Sequence, residues 1–119
     1  MTEKLLLIDD FSFGRLRILG ADYREDLLLV DGCVRADWWR LHGHTVMADD
    51  VAEILDAHPD VLVVGNGHSN QMRVDPGLAE LLTRQGIQLI SEPTEQAVAT
   101  YNRLVQKGAR VAGAFHLTC

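Results

Sequence analysis

Hydrophobic positions follow two different rhythms along this chain. The first third carries short apolar runs and period-two alternation. The remainder carries apolar blocks separated by stretches with helical spacing. Leu5-Leu6-Leu7-Ile8 runs into Asp9-Asp10-Phe11-Ser12-Phe13-Gly14, whose acidic, serine and glycine content predicts a break. Leu16 and Ile18 alternate with Arg15 and Arg17, as in a half-exposed strand. Gly20-Ala21-Asp22 predicts a turn. Leu27-Leu28-Leu29-Val30, then Asp31-Gly32, then Cys33-Val34-Arg35 predicts a hairpin with a type I′ turn, which needs positive φ at both central residues. Trp38 and Trp39 are adjacent, so on a strand one would enter the core and the other would face solvent.

Past residue 50 the pattern predicts helices and strands in alternation. Asp50 with Glu53 three residues later looks like a capped helix start, and Val51, Ile54 and Leu55 share one helical face. His58-Pro59 ends that helix, because the residue before proline disfavours the right-handed helical region. Val61-Leu62-Val63-Val64 reads as a buried strand that runs into the polar glycine loop of residues 65–71. Asp75-Pro76 predicts a second helix start, with Leu78, Leu81 and Leu82 facing inward and Gly86 past its end. Ile87, Leu89 and Ile90 predict a strand parallel to the valine strand, joined by a right-handed crossover. A third helix is expected with Pro93 at its first position, an apolar stripe of Ala97, Val98, Tyr101, Leu104 and Val105, and a stop at Gly108. The residues Val111-Ala112-Gly113-Ala114-Phe115 close the chain as a strand whose direction this pattern leaves open. The fold class is therefore α/β: a three-layer arrangement with a central mixed sheet, helices, and an additional N-terminal antiparallel β layer, in one domain over residues 1–119.

Composition narrows the partners. The chain has 119 residues, 47% hydrophobic and 24% charged, which suits a single folded domain with its own core. Seventeen acidic against eleven basic residues leave a net charge of −6, which argues against nucleic acid and against an anionic membrane surface. No apolar run approaches the ~20 residues of a membrane span, and the first residues do not read as a signal peptide, so a cytoplasmic protein is expected. Cys33 and Cys119 form no recognisable motif and are expected as free thiols.

Several of these residues carry a resemblance. The strand and loop of residues 61–67, Gly86-Ile87, Thr94, Ala97, Thr100-Tyr101-Asn102, Gly108 and Arg110-Val111-Ala112 resemble the Mth-type domain family of unknown function. Phe13-Gly14, Tyr23, Asp31-Gly32 and Trp38 follow the same pattern more loosely. The resemblance spans residues 15–118 and implies a three-layer α/β fold. It implies no reaction, cofactor or catalytic residue. Relatives within that family include a mitochondrial complex I assembly factor and an adipogenesis-associated protein, which points to an assembly-factor-like role.

The candidate site follows from topology. If the strands before residues 65–71 and before Ser91 are neighbours, the glycine loop and the start of the third helix share one sheet edge. Gly65, Asn66, Gly67, His68, Ser69 and Thr94 are then the expected ligand-binding residues, and a small anion or carboxylate the expected ligand. Glu92 and Glu95 oppose an anion there, and Arg73 is the nearest cation. Asn102, in the middle of a helix, is expected to bond a neighbouring backbone rather than a substrate. His42 and His44, with His68, have no recognised ligand spacing, so no metal and no cofactor are expected. Trp38 and Trp39 are the expected interface residues, for a protein partner or a second copy of the chain. The function so predicted is a binding or assembly-factor-like module with a polar pocket at the sheet edge. The alternative is a small-molecule-handling enzyme using Asn66, His68, Ser69 and Thr94.

Overall fold

The computed structural model describes residues 6–119. The strands are β1 (Ile8–Ser12), β2 (Arg15–Ile18), β3 (Ala21–Tyr23), β4 (Leu27–Val30), β5 (Cys33–Arg35), β6 (Thr45–Val46), β7 (Val61–Asn66), β8 (Arg73–Val74), β9 (Gln88–Glu92) and β10 (Val111–His116). The helices are α1 (Ala52–Ala57), entered through a 3₁₀ turn at Ala48–Val51, α2 (Pro76–Arg84) and α3 (Thr94–Gln106).

Alternation within the central strands builds the layers. The five-stranded sheet has the order β5-β4-β10-β7-β9. Leu28, Val30, Leu62, Val64, Ala112 and Ala114 point to one face, where Ile54 of α1 and Leu78 and Leu82 of α2 cover them. Leu27, Leu29, Val61, Val63 and Phe115 point to the other, where they meet Ala97 and Tyr101 of α3 together with Ile8, Leu16 and Ile18. The second group of partners belongs to an antiparallel sheet, β1-β2-β3, which forms the extra β layer. Each fully buried large side chain of this kind contributes roughly 1.5–3 kcal/mol. Phe115 is accommodated by a missing side chain: a Cβ on Gly113 would lie 2.4 Å from its ring.

The direction of the closing strand, which local pattern leaves open, is set by its neighbours. β10 inserts between β4 and β7, antiparallel to the first and parallel to the second, with Val111 level with Val61 and His116 level with Asn66. β9 flanks β7 on its far side, also parallel, as the α2 crossover requires. The predicted hairpin is present: β4 and β5 join through Asp31 and Gly32, at φ 50° and 72°.

Local reading fails in several places, each for a physical reason. The strand does not break at Asp9; β1 runs on through Asp10 and Phe11 to Ser12, because both acidic side chains are exposed, Asp9 accepting from Gly20 N–H and Asp10 pairing with Arg15. Leu5 lies outside the described residues. Ala21 and Asp22 are strand, and the turn falls earlier, at Leu19 and Gly20, both with positive φ. Asp22 then accepts from Arg17 and Arg15 across the layer, and that pairing lowers its carboxyl to about 2. The valine strand extends two residues further than its apolar run, since Gly65 and Asn66 are held in the ladder by β10 and β9. Asp50 is not a helix N-cap; its carboxylate accepts from Met47 N–H at 2.8 Å, at the third position of the 3₁₀ turn. Pro93 precedes α3 as its cap, one residue earlier than expected. Trp38 and Trp39 lie on a loop, although one is packed inward and the other is exposed.

Asn102 explains how the outer layer is attached. Its side-chain oxygen accepts from Ile8 N–H at 2.9 Å, and its amide donates to Ile8 C=O at 2.8 Å. The side chain thus pairs with β1 as a neighbouring strand would. Tyr101 beside it donates its hydroxyl to Leu6 C=O at 3.1 Å, and burial raises that phenol to about 12. Replacing Asn102 by Ala leaves both Ile8 groups unmatched, and the expected cost is about 1–3 kcal/mol in urea unfolding. Hydrogen exchange should quicken in β1 while the central sheet stays protected.

Candidate functional site

The glycine loop and the start of α3 lie side by side, as the topology required, and they are bonded to each other. Thr94 N–H donates to Gly67 C=O at 3.1 Å. Gly67 N–H donates to Thr94 Oγ1 at 2.8 Å, and that hydroxyl donates to His116 C=O at 2.6 Å. Thr94 is fully buried, with its hydroxyl used in both directions. Residues 117–119 then cross the loop: His68 N–H donates to Thr118 C=O at 2.6 Å, and Gln71 N–H to Cys119 C=O at 3.3 Å. Gly67 sits at φ 96°, and a Cβ there would lie 2.5 Å from Thr118 O, so only glycine permits this crossing.

The six expected ligand residues therefore divide. Gly65, packed under Phe115 and Thr94, joins Gly67 and Thr94 in the buried frame. Asn66 is also buried; its amide donates to Ser91 Oγ at 2.7 Å and to Asn70 Oδ1 at 3.0 Å. Its own Oδ1 has no partner among the described residues. His68 and Ser69 are exposed, with the Phe13 ring edge-on to His68 at 5.8 Å. Arg73 donates to Asn70 C=O at 2.7 Å. A cavity of about 300 Å³ opens at the other end of the central sheet, lined by residues that include Val30, Tyr101, Val105 and Val111.

A second polar cluster lies beside the loop. His116 ends β10 and is 7% exposed. Its Nδ1 is 2.7 Å from Asp26 Oδ2, and Leu117 N–H donates to Asp26 Oδ1 at 2.9 Å. Arg40 is buried next to them, with one guanidinium nitrogen 2.9 Å from Asp26 Oδ2 and two others donating to Gly43 C=O. Its Nη2 also lies 3.3 Å from His116 Nδ1. Guanidinium can only donate, and the shorter contact to Asp26 makes Nδ1 the donor, so Nη2 belongs to Gly43. Burial pushes the Asp26 carboxyl up, but the hydrogen bonds it accepts from His116, Leu117 and Arg40 outweigh this. The group is held below the usual carboxylate range.

His116 keeps one nitrogen free. Nε2 is buried and has no hydrogen-bond partner among the described residues. The His44 ring stands edge-on to it at 5.8 Å, and one ligating atom from each of His44, His116 and Cys119 lies within 4.8 Å of the others. No spacing in the sequence signals this trio. His42 and His68, the partners considered for His44, belong to no such group of three among the described residues. The missing clue was the direction of β10. Once it runs parallel to β7, His116 falls level with Asn66 and the residues beyond it must pass Gly67.

The expected interface pair behaves as two unlike residues. Trp38 is anchored: its N–H donates to Asp26 C=O and its indole to Asp50 C=O, both at 2.8 Å, and Arg40 stacks over its ring at 4.5 Å. Trp39 is 74% exposed.

This is a mixed α/β domain with an attached antiparallel layer and a polar edge at the ends of its parallel strands. Residues 8–116 match the family described as Protein of unknown function (DUF498/DUF598), and the chain belongs to that family. A solved protein from Bordetella parapertussis is 23% identical, with a TM-score of 0.85 over 98% of this chain and 99% of that one. MT938 is 26% identical, with a TM-score of 0.77 over 96% and 99%. A Bordetella pertussis protein described as an Mth938-like domain is 21% identical, with a TM-score of 0.71 over 98% and 90%. The resemblance to Mth-type domains read from residues 61–112 agrees with these matches. Among the described residues, no helix is long and apolar enough to cross a membrane.

Asp26 carries a pH dependence whose sign follows from its lowered folded-state value. Its stabilisation is complete above the unfolded carboxylate range and is lost as pH falls through the folded value. Asp26→Asn removes it at every pH. At pH 7 the variant should be less stable by about 1.5–3 kcal/mol, the worth of a hydrogen bond to a charged group. Thermal melts from pH 7 down to pH 3 should show the gap closing with acid. A gap independent of pH would exclude the charged pairing.

Proposed function

We propose that this domain is a non-enzymatic, assembly-factor-like binding module that takes a protein partner on the surface around Trp39. One observation carries the reading: Trp39, with Leu41 68% exposed two residues on, sits between two anchored side chains, Trp38 and Arg40. A large aromatic held in water on a backbone fixed from both sides has little freedom left to lose on docking. Anchors of this type dominate binding energy where they occur. A second copy of the chain is the other occupant this surface would suit. The assembly role rests on the family resemblance. A cytoplasmic setting fits the two exposed, unpaired cysteines, Cys33 and Cys119, which a reducing compartment preserves. We read residues 1–119 as one such domain, which the family match over 8–116 supports.

The alternative, a small-molecule-handling enzyme, would use the edge made by Asn66, His68 and Ser69 on the frame of Gly65, Gly67 and Thr94. It is favoured by the buried, unpartnered Asn66 Oδ1, an acceptor that a hydroxyl or amine carried beside the carboxylate of a small hydroxy or amino acid would match.

Quantitative affinity capture with wild type and a Trp39→Ala variant separates these readings. A stoichiometric partner should be retained about thirtyfold less well by the variant, the worth of a ~2 kcal/mol anchor. Retention unchanged by the substitution, together with a melting temperature raised by a small carboxylate, would favour the alternative.

A further inference from the structure

His116 Nε2 is a buried acceptor with nothing to accept from among the described residues. Leaving such a group unmatched costs about 1–3 kcal/mol, so a donor or a metal ion at this nitrogen would be stabilising. The arrangement around it says what. Asp26 takes the proton on Nδ1 at 2.7 Å, which fixes the ring and leaves the Nε2 lone pair free. A carboxylate behind a histidine is the usual outer partner of a metal-bound imidazole. The free edge of the ring faces Gly67 and residues 118–119, since a Cβ on Gly67 would lie 2.8 Å from His116 Cδ2 and 2.7 Å from the Cys119 carbonyl carbon. Two further ligating groups stand within reach of this ring, His44 and Cys119, both exposed.

We propose that His44, His116 and Cys119 form a site for one borderline-soft divalent ion of the zinc class, with Asp26 positioning His116 and the fourth coordination position open to solvent. Two imidazoles and a thiolate exclude magnesium and calcium, which take oxygen ligands. Tetrahedral zinc at its ordinary bond lengths sets ligand atoms about 3.4–3.6 Å apart. The trio, within 4.8 Å, closes to that size by rotation of the two exposed side chains while the buried histidine stays still. Charge permits it as well. The Arg40 guanidinium lies on the Nδ1 side, paired with Asp26, and the thiolate supplies a negative charge against the ion. Trp39 is not among the ligands, so zinc binding and partner capture are tested by different variants.

Calorimetric titration of the untagged chain with Zn²⁺ at neutral pH, paired with Co²⁺ spectra, tests the assignment. One ion per chain is expected, with a thiolate-to-cobalt band. His44→Ala and Cys119→Ser should each weaken zinc by at least about tenfold. Both residues are exposed, so the fold should survive. His42→Ala and Cys33→Ser should change nothing. Zinc should protect Cys119, but not Cys33, from iodoacetamide. Asp26→Asn should lower affinity by about 10–100-fold and still give the cobalt band at saturating metal, which an unfolded chain would not. Absence of saturable binding, binding unaffected by His44→Ala and Cys119→Ser, or alkylation of Cys119 at one rate with and without zinc would overturn the proposal.

Discussion

The hydroxyl of Thr94 joins three pieces of chain that are distant in sequence. It accepts from Gly67 at the end of β7, donates to His116 at the end of β10, and belongs to the first residue of α3. Two of the orphan groups that any strand end or helix start must satisfy are thereby matched without water. The joint determines what lies beyond it. Because His116 is held level with Asn66, residues 117–119 must pass over Gly67, where a side chain would block them. That passage brings Cys119 toward His44 and His116, and places Leu117 N–H on Asp26.

Around this joint the molecule has two different polar environments. The outer β layer carries exposed pairs, with Asp22 between Arg15 and Arg17, which solvent and salt weaken. In the inner cluster Arg40 and His116 are buried and Asp26 is mostly so; its members hold one another in place, and removal of any one leaves a desolvated charge or acceptor behind. Arg40 also supports Trp38 and so fixes the backbone on which Trp39 stands. The same guanidinium therefore links the partner surface to the polar edge.

What was legible in the sequence is what is encoded locally. Asp31-Gly32 specifies its own turn, Asp75-Pro76 its own helix start, and the stripe from Ala97 to Val105 its own buried face, each within a few residues. The layered α/β class follows from their order. Long-range choices were not legible. Asp9 and Asp10 look like a break until β2 is beside them. Asp26 and His116 are 90 positions apart, and His44 and Cys119 have no shared spacing, so only the placement of β10 makes them neighbours. The glycine loop stands out in the sequence for a related reason: glycines allow close approach. What approaches most closely in the structure is the chain's own backbone.

The joint at Thr94 is tested most directly by native-state hydrogen exchange at the Gly67 amide, read by NMR. If that N–H is held by a buried hydroxyl beneath residues 117–119, it should exchange only through openings close in free energy to global unfolding, alongside the amides of β7. Exchange at the rate of the exposed neighbouring loop residue Ser69 would contradict the account.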